Sequence, residues 1–271
     1  MGWLVAKMNW GSWQSCILLR GFRRNQATYL VVLFALVVGI VCSWLFFELA
    51  EAVWLREPWT DLDLRVFHWL QGLRTPMRDR FFLAVSRLGN PQALMVIVGA
   101  VGISLLLLRR YFEALILSAG FATSLFAVVA IKWLVQRPRP APTLRIALEN
   151  SPAFPSGHAS LSFVVYVFVA CLAVQYIHAR RTGLLILGTS TLLVLAIGFS
   201  RLYLGAHWLT DILASYALAG VWLSLLLSGV AIYRRLHPIP NPEQGRLRFA
   251  RRQIVLVALL TLLFLSWYAV F

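Results

Sequence analysis

Along the chain, apolar runs alternate with short polar stretches, and the runs are too long for the core helices of a soluble domain. A bilayer hydrocarbon core of roughly 30 Å requires about 20 residues of apolar helix. Seven runs approach that length: 29–50, 91–108, 111–131, 159–177, 182–199, 209–233 and 254–271. Each predicts a membrane-spanning helix, and an odd number puts the two termini on opposite sides. The first run has the apolar character of a signal peptide, but it begins near Tyr29, is longer than such a region and lacks a small-residue cleavage site, so it reads as a span. Between the first two runs, 51–90 is too polar to cross. Within it Leu62, Val66, Trp69, Leu70 and Leu73 recur at helical spacing with Asp61, Arg65 and His68 between them, which predicts an amphipathic helix lying in the interface. Trp54, Trp59 and Trp69 suit the headgroup level. Their plain use is anchoring, and guiding a lipid towards a site is the alternative.

Composition agrees with the pattern. The 271 residues are 60% hydrophobic and 13% charged, against about a quarter charged in soluble domains, and mean hydropathy is +0.77. A soluble globular protein is excluded. No Gly/Ser/Pro-rich linker divides the apolar runs, so they form one membrane domain. The net charge of +15 is scattered between the runs rather than gathered on one face, which argues for topology signals and against a nucleic-acid partner. Arg109 with Arg110, Arg180 with Arg181, and the stretch 234–252 carry dense arginine with almost no acid, whereas Glu48, Glu51, Glu57, Asp61, Asp63, Asp79, Glu149 and Asp211 fall on the other side. This predicts a cytoplasmic N-terminus. Cys16, Cys42 and Cys171 have no paired spacing and indicate neither a disulfide framework nor a thiolate metal site.

Polar residues within or beside spans cost free energy and mark function by default. Three clusters stand out, all at the outer ends of predicted helices: Lys132 to Pro140, Pro155 to His158, and Ser200 to Asp211. Lys132, Arg139 and Arg201 bring three cations to one surface, and the planar guanidinium fork matches phosphate oxygens. Ser156 can cap a helix beginning near His158, leaving backbone N–H groups directed outward. His207 and Asp211 are four apart and share a helix face, so the carboxylate can accept from one imidazole nitrogen and leave the other as a nucleophile. His158, from a different helix, can supply a proton to a leaving group. The combination describes phosphoryl transfer through a phosphohistidine, with the cations offsetting charge on the equatorial oxygens. Each residue alone has a plainer use. Lys132 and Arg139 can snorkel to the interface, Ser156 and Gly157 can be only a cap and turn, and His158 can be a structural histidine. His207 with Asp211 can be a simple helical pair or half of a metal site, the metal being disfavoured by the neighbouring cations and the lack of further ligands.

Taken together, K-x6-RP from Lys132, the PSGH at 155–158, and SR-x5-H-x3-D from Ser200 to Asp211 resemble the type 2 phosphatidic acid phosphatase superfamily, the membrane lipid phosphate phosphatases related to bacterial acid phosphatases and vanadium haloperoxidases. The resemblance implies an all-α, polytopic membrane helix bundle: a six-span phosphatase core with an extracytoplasmic amphipathic segment, here followed by an additional C-terminal span. It divides the chain into a basic cytoplasmic N-terminus at 1–28, the membrane phosphatase domain at 29–233, a basic cytoplasmic loop at 234–252 that can meet anionic headgroups, and a seventh span at 253–271. It also implies that Lys132, Arg139 and Arg201, with Ser156 and Gly157, bind the phosphate. His207 is then the nucleophile, Asp211 its orienting partner and His158 the general acid and later base, with no metal or other cofactor. Arg137 lies outside the family's fixed positions and reads as a headgroup or surface contact.

The expected activity is removal of the terminal phosphate of a lipid mono- or diphosphate at the extracytoplasmic face. Undecaprenyl diphosphate, phosphatidylglycerophosphate, phosphatidate and a lipid A phosphate are the candidate substrates, a polyprenyl diphosphate or a broad range being favoured. The lipid chain is expected to enter sideways between spans near Trp133 and Trp208. A lipid-to-lipid phosphotransferase and a non-enzymatic lipid or anion transporter are the alternatives. The Arg-rich short loops and the lack of a long targeting segment before the first run fit a bacterial inner membrane, with a luminal site in a eukaryotic membrane as the alternative.

Overall fold

A computed structural model describes residues 10–55, 59–141, 146, 149–177 and 179–237. The seventh predicted span and the basic loop before it lie outside the described residues, as does Cys16 apart from its helical backbone. All the regular structure described is helical: α1 (Trp10–Leu55), α2 (Trp59–Gly72), α3 (Pro76–Arg87), α4 (Pro91–Leu107), α5 (Tyr111–Val135), α6 (Gly157–Ser162), α7 (Phe168–Val174), α8 (Arg180–Tyr203) and α9 (Leu209–Leu236). Five stretches are long and apolar enough to cross a membrane: Thr28–Leu55, Tyr111–Val135, Gly157–Val174, Arg180–Tyr203 and Leu209–Leu236. A sixth arises if α3 and α4, which meet at a 44° bend, form one broken span. The chain is an integral membrane protein with multiple spans.

Local chemistry explains where the helices break. Thr75 accepts from the Arg78 N–H and Asn90 from the Gln92 N–H, each followed by a proline at the first helical position, so α3 and α4 start afresh instead of continuing their predecessors. The run predicted at 159–177 is interrupted by a π-helical turn over Phe163–Val167 and ends as α7. The amphipathic helix expected from Leu62 to Leu73 is α2, followed by α3 in the same outer segment, and α2 turns a partly different face inward. Asp63, Phe67 and Leu70 are buried, while Trp69 is 62% exposed. Leu70 packs with Ala159, Leu202 and Ile212, which seats α2 on α6, α8 and α9 rather than leaving it on the surface.

Small residues let the longest helices approach. Gly39 lies against Ser224 and Gly220 against Cys42, fitting α1 along α9. Gly198 of α8 faces α9 so closely that an added Cβ would land on the Tyr216 hydroxyl, which donates to the Val194 carbonyl at 2.9 Å. Overpacking of this kind costs about 1–3 kcal/mol. We therefore expect Gly198→Ala to lower the unfolding temperature in detergent clearly; an unchanged temperature would show that Tyr216 moves aside freely. At the end of the bundle away from the motif clusters, Arg234 pairs with buried Glu113 at 2.7 Å and Arg235 lies over the Tyr29 ring, so the first two arginines of the basic stretch have protein partners.

Candidate active site

The C-terminal ends of α5 and α8 and the N-terminal ends of α6 and α9 meet at one end of the bundle, and their polar residues converge there. Gln136 takes a left-handed conformation, φ 52° and ψ 31°, which stops α5 one turn after Lys132 and redirects the chain. Arg137 and Arg139 then both reach back to residues around position 210. Ser156 is the N-cap of α6: its Oγ accepts from the Ala159 N–H, and its own N–H donates to Ser215 Oγ at 2.7 Å, tying the segment before His158 to α9. Lys132 is buried and donates to the Pro152 and Ala153 carbonyls at 2.5 and 3.5 Å, so its ammonium braces the chain leading into Ser156.

The two arginines that the sequence nominates for phosphate converge on one carboxylate. Arg139 Nη2 donates to Glu149 Oε2 at 2.7 Å, and Arg201 Nη2 donates to Glu149 Oε1. His158 Nδ1 lies 3.9 Å from that same Oε1. Arg201 is only 2% exposed; its Nη1 donates to Ser86 Oγ of α3 at 2.7 Å, while its Nε is buried with no hydrogen-bond partner among the described residues. Arg139 also donates to the Ala206 carbonyl and the Ser151 carbonyl, both at 2.7 Å, which fixes its plane. A carboxylate held by two guanidinium forks occupies a position that a phosphoryl group matches in charge and geometry.

His207 faces this position from the turn between α8 and α9. Its Nε2 is 3.3 Å from Arg139 Nη1 and its Nδ1 is 3.3 Å from Asp211 Oδ2, so the carboxylate takes one ring nitrogen and leaves the other towards the arginines. Asp211 Oδ2 also accepts the Trp208 N–H at 2.9 Å. The second Asp211 oxygen is held by Arg137 Nη1. Arg137 is thus not a headgroup or surface contact: it is 9% exposed, bridges Asp211 to Asp63 and lies over the Trp208 ring. The physical reason is the buried carboxylate, which needs a countercharge once water is gone. All eight residues expected for the site, Lys132, Arg139, Ser156, Gly157, His158, Arg201, His207 and Asp211, lie on the elements that meet here. Sequence reasoning missed Glu149, Asp63, Ser86 and the inward role of Arg137; for Arg137 alone a signal existed, its place inside the first cluster.

The cations tune the groups that lie outside the spans. Burial works to raise the Glu149 pKa, but Arg201 above all, with His158, His207 and Arg139, overrides this and holds the carboxyl down at about 2. Burial, followed by the charges of Arg139, Lys132 and Arg201, pushes His207 well below the ordinary imidazole range against the pull of Glu149. A neutral imidazole whose Nε2 faces Arg139 beside an anion position is equipped to attack phosphorus once the arginine turns to the phosphoryl oxygens.

Residues 113–235 match the model of the PAP2 superfamily. The sequence is 28% identical over 163 residues to phosphatidylglycerophosphatase B of Bacillus subtilis (strain 168), an alignment covering 58% of this chain and 77% of that protein. The fold is similar to the crystal structure of the first transmembrane PAP2 type phosphatidylglycerolphosphate phosphatase from Bacillus subtilis, with a TM-score of 0.63 at 22% identity, over 76% of this chain and 98% of that one. The family match from 113 to 235 encloses all three motif clusters, so the part of the chain that holds the site is the part that matches the PAP2 superfamily.

Proposed function

We propose that this protein hydrolyses the terminal phosphate of lipid mono- or diphosphates through a phosphohistidine on His207. The observation that carries this reading is the pair of guanidinium forks of Arg139 and Arg201, closed on one carboxylate beside the Nε2 face of His207. The substrate phosphoryl group replaces that carboxylate, its oxygens taken by Arg139, Arg201 and Lys132, with Ser156 and Gly157 shaping the rim. His207 Nε2 forms a bond to phosphorus while the bond to the leaving oxygen breaks, and His158 gives that oxygen a proton. Water then attacks the phosphohistidine, returning a proton to His158 and releasing inorganic phosphate. Asp211 holds the Nδ1–H throughout and stabilises the charge on the ring. The cations that serve phosphate also repel a divalent metal, so the chemistry is metal-independent.

The lipid reading is supported by an apolar groove of about 810 Å³ between α1, α5 and α9, lined by Phe46, Trp54, Leu134, Val135, Leu218 and Trp222 among others. It reaches Val135, two residues before Arg137, and on α9 it begins two turns below Asp211. A tail lying there enters from the bilayer on the α5 side, where Trp133 is exposed. The arginine distribution supports a site at the extracytoplasmic face with the N-terminus in the cytoplasm, and the Bacillus relative supports a bacterial membrane. That relative's name puts phosphatidylglycerophosphate beside undecaprenyl diphosphate, phosphatidate and a lipid A phosphate on the test panel.

The test is inorganic phosphate release by purified protein over this panel with EDTA present. Release from at least one lipid, absent in His207→Ala, supports the reading, and the rates rank the substrates. Phosphate appearing on an acceptor lipid instead indicates a phosphotransferase, and lipid flux surviving His207→Ala indicates transport. Glu149 supplies a further expectation, because an anion must displace its carboxylate. Glu149→Gln should tighten competitive inhibition by orthovanadate or inorganic phosphate by about 10-fold, which corresponds to about 1.4 kcal/mol. Unchanged or weaker inhibition contradicts a contest for one position.

A further inference from the structure

The residue that completes the His207–Asp211 arrangement comes from outside the family-matched stretch. Asp63 of α2 is a carboxylate only 2% exposed, and every partner the structure gives it belongs to this site. Its Oδ1 accepts the Thr210 N–H at 2.9 Å, and its Oδ2 accepts from Thr210 Oγ1 and from Arg137 Nη2, both at 2.7 Å. Arg137 Nη1 donates in turn to Thr210 Oγ1 at 2.7 Å and to Asp211 Oδ1. Phe67, one turn along α2, meets the Trp208 ring at 5.6 Å, on the residue next to His207.

Two physical needs meet in this arrangement. The first turn of α9 exposes backbone N–H groups, and Trp208, its N-cap, has no side-chain oxygen to accept one. Asp211 takes the Trp208 N–H, and Asp63 takes the Thr210 N–H from another helix, standing in for the missing cap oxygen. The second need concerns Arg137. A guanidinium bound to one carboxylate can pivot about it, whereas one bound at both ends to buried carboxylates is fixed in plane and distance. Asp63 therefore sets where Arg137 holds Asp211, and Asp211 sets the rotation of the His207 ring. None of the three motif clusters contains Asp63, which reaches the site only because α2 is seated on α8 and α9.

We infer that Asp63 is a positioning residue for the reaction: through Arg137 and the first turn of α9 it fixes Asp211 and so aims His207 Nε2, making the seating of α2 a condition for turnover. This rests on His207 being the nucleophile.

The test is a double-mutant cycle in the full chain, with kcat and KM measured on a lipid phosphate and thermal unfolding followed alongside. Asp63→Asn keeps an acceptor for the Thr210 N–H but loses the charge that pins Arg137. It is expected to lower kcat by 10- to 100-fold on the scale of lost electrostatic orientation, with KM changed less than threefold. Introduced into Asp211→Asn, it should lower kcat by less than threefold more, because residues acting through one another are not additive. A residue that merely anchored α2 would cost the same factor in both backgrounds. If Asp63→Asn does not yield folded protein, Arg137→Lys, which keeps the charge and loses the fork, carries the same cycle. Wild-type kcat in Asp63→Asn, or losses that multiply with those of Asp211→Asn, overturns the inference. His207→Ala serves as the separate control. Activity surviving it removes the nucleophile reading, whereas an inactive His207→Ala beside a fully active Asp63→Asn removes this inference alone.

Discussion

His207→Ala is expected to lower kcat for every lipid phosphate by about 10⁴- to 10⁶-fold, the scale on which removal of a nucleophile is felt. The expectation follows from what remains. Asp211 keeps Arg137 and the Trp208 N–H, so no buried carboxylate is abandoned and the bundle should still fold. Arg139 and Arg201 keep their backbone and Ser86 contacts, so inorganic phosphate should still bind within a few-fold of wild type. Loss of turnover with retained phosphate binding separates a nucleophile from a ligand. The pH profile adds a sign. A ring whose proton affinity is lowered is neutral above its own depressed pKa, so the nucleophile stays available at pH values where an ordinary imidazole has taken up its proton. The acid limb of kcat/KM should therefore fall below the ordinary imidazole range. Arg139→Gln, which removes the leading charge contribution after burial, should move that limb to higher pH; a limb that stays put would mean that another group controls it.

The second large effect is expected at Arg201. Its guanidinium is buried, fixed by Ser86, and presents one donor to Glu149 and an Nε with no hydrogen-bond partner among the described residues. On substrate binding those donors turn to phosphoryl oxygens whose charge changes as phosphorus inverts. Losing one preorganised donor of this kind costs about 2.7–4 kcal/mol in the transition state, or 10²- to 10³-fold in kcat. Arg201→Gln is expected to show that loss together with weaker inhibition by inorganic phosphate, the opposite of Glu149→Gln. Arg201→Lys should recover little, since an ammonium cannot hold Ser86 and two phosphoryl oxygens in one plane. Steady-state kinetics on a single lipid phosphate decides it: a kcat within 10-fold of wild type in Arg201→Gln would place the phosphoryl group elsewhere.

What could be read from the sequence was whatever is encoded locally. The apolar runs announce their own length, and the four-residue spacing of His207 and Asp211 announces their pairing, although His207 makes it from the turn before α9 and not from the helix itself. The cap at Ser156 needs only its neighbours. Residues whose meaning depends on distant partners were illegible. Arg137 meets Asp63 across 74 positions, Arg201 meets Glu149 across 52, and Thr210 meets Asp63 across 147. Spacing alone makes Arg137 look like one more interfacial cation and Asp63 like one more polar residue on an amphipathic helix. The face of α2 was misjudged for the same reason. Its apolar stripe includes Trp69, which is exposed, whereas its inward face carries a carboxylate that periodicity treats as solvent-facing. The start of α4 was legible as well, since the run read from 91 opens at Pro91, behind the Asn90 cap.

The central claim is that phosphate passes through the His207 ring. The most direct measurement mixes the purified protein with an aryl or lipid phosphate, quenches in alkali, where phosphohistidine survives, and maps the phosphorylated peptide by mass spectrometry. His158→Ala should be run in parallel, because without the base that activates water the intermediate should accumulate from a substrate with a good leaving group. The account predicts a phosphoryl group on His207, in higher yield in His158→Ala and absent in His207→Ala. Turnover with no phosphorylated residue at any time, or a phosphoryl group on another side chain, would contradict it.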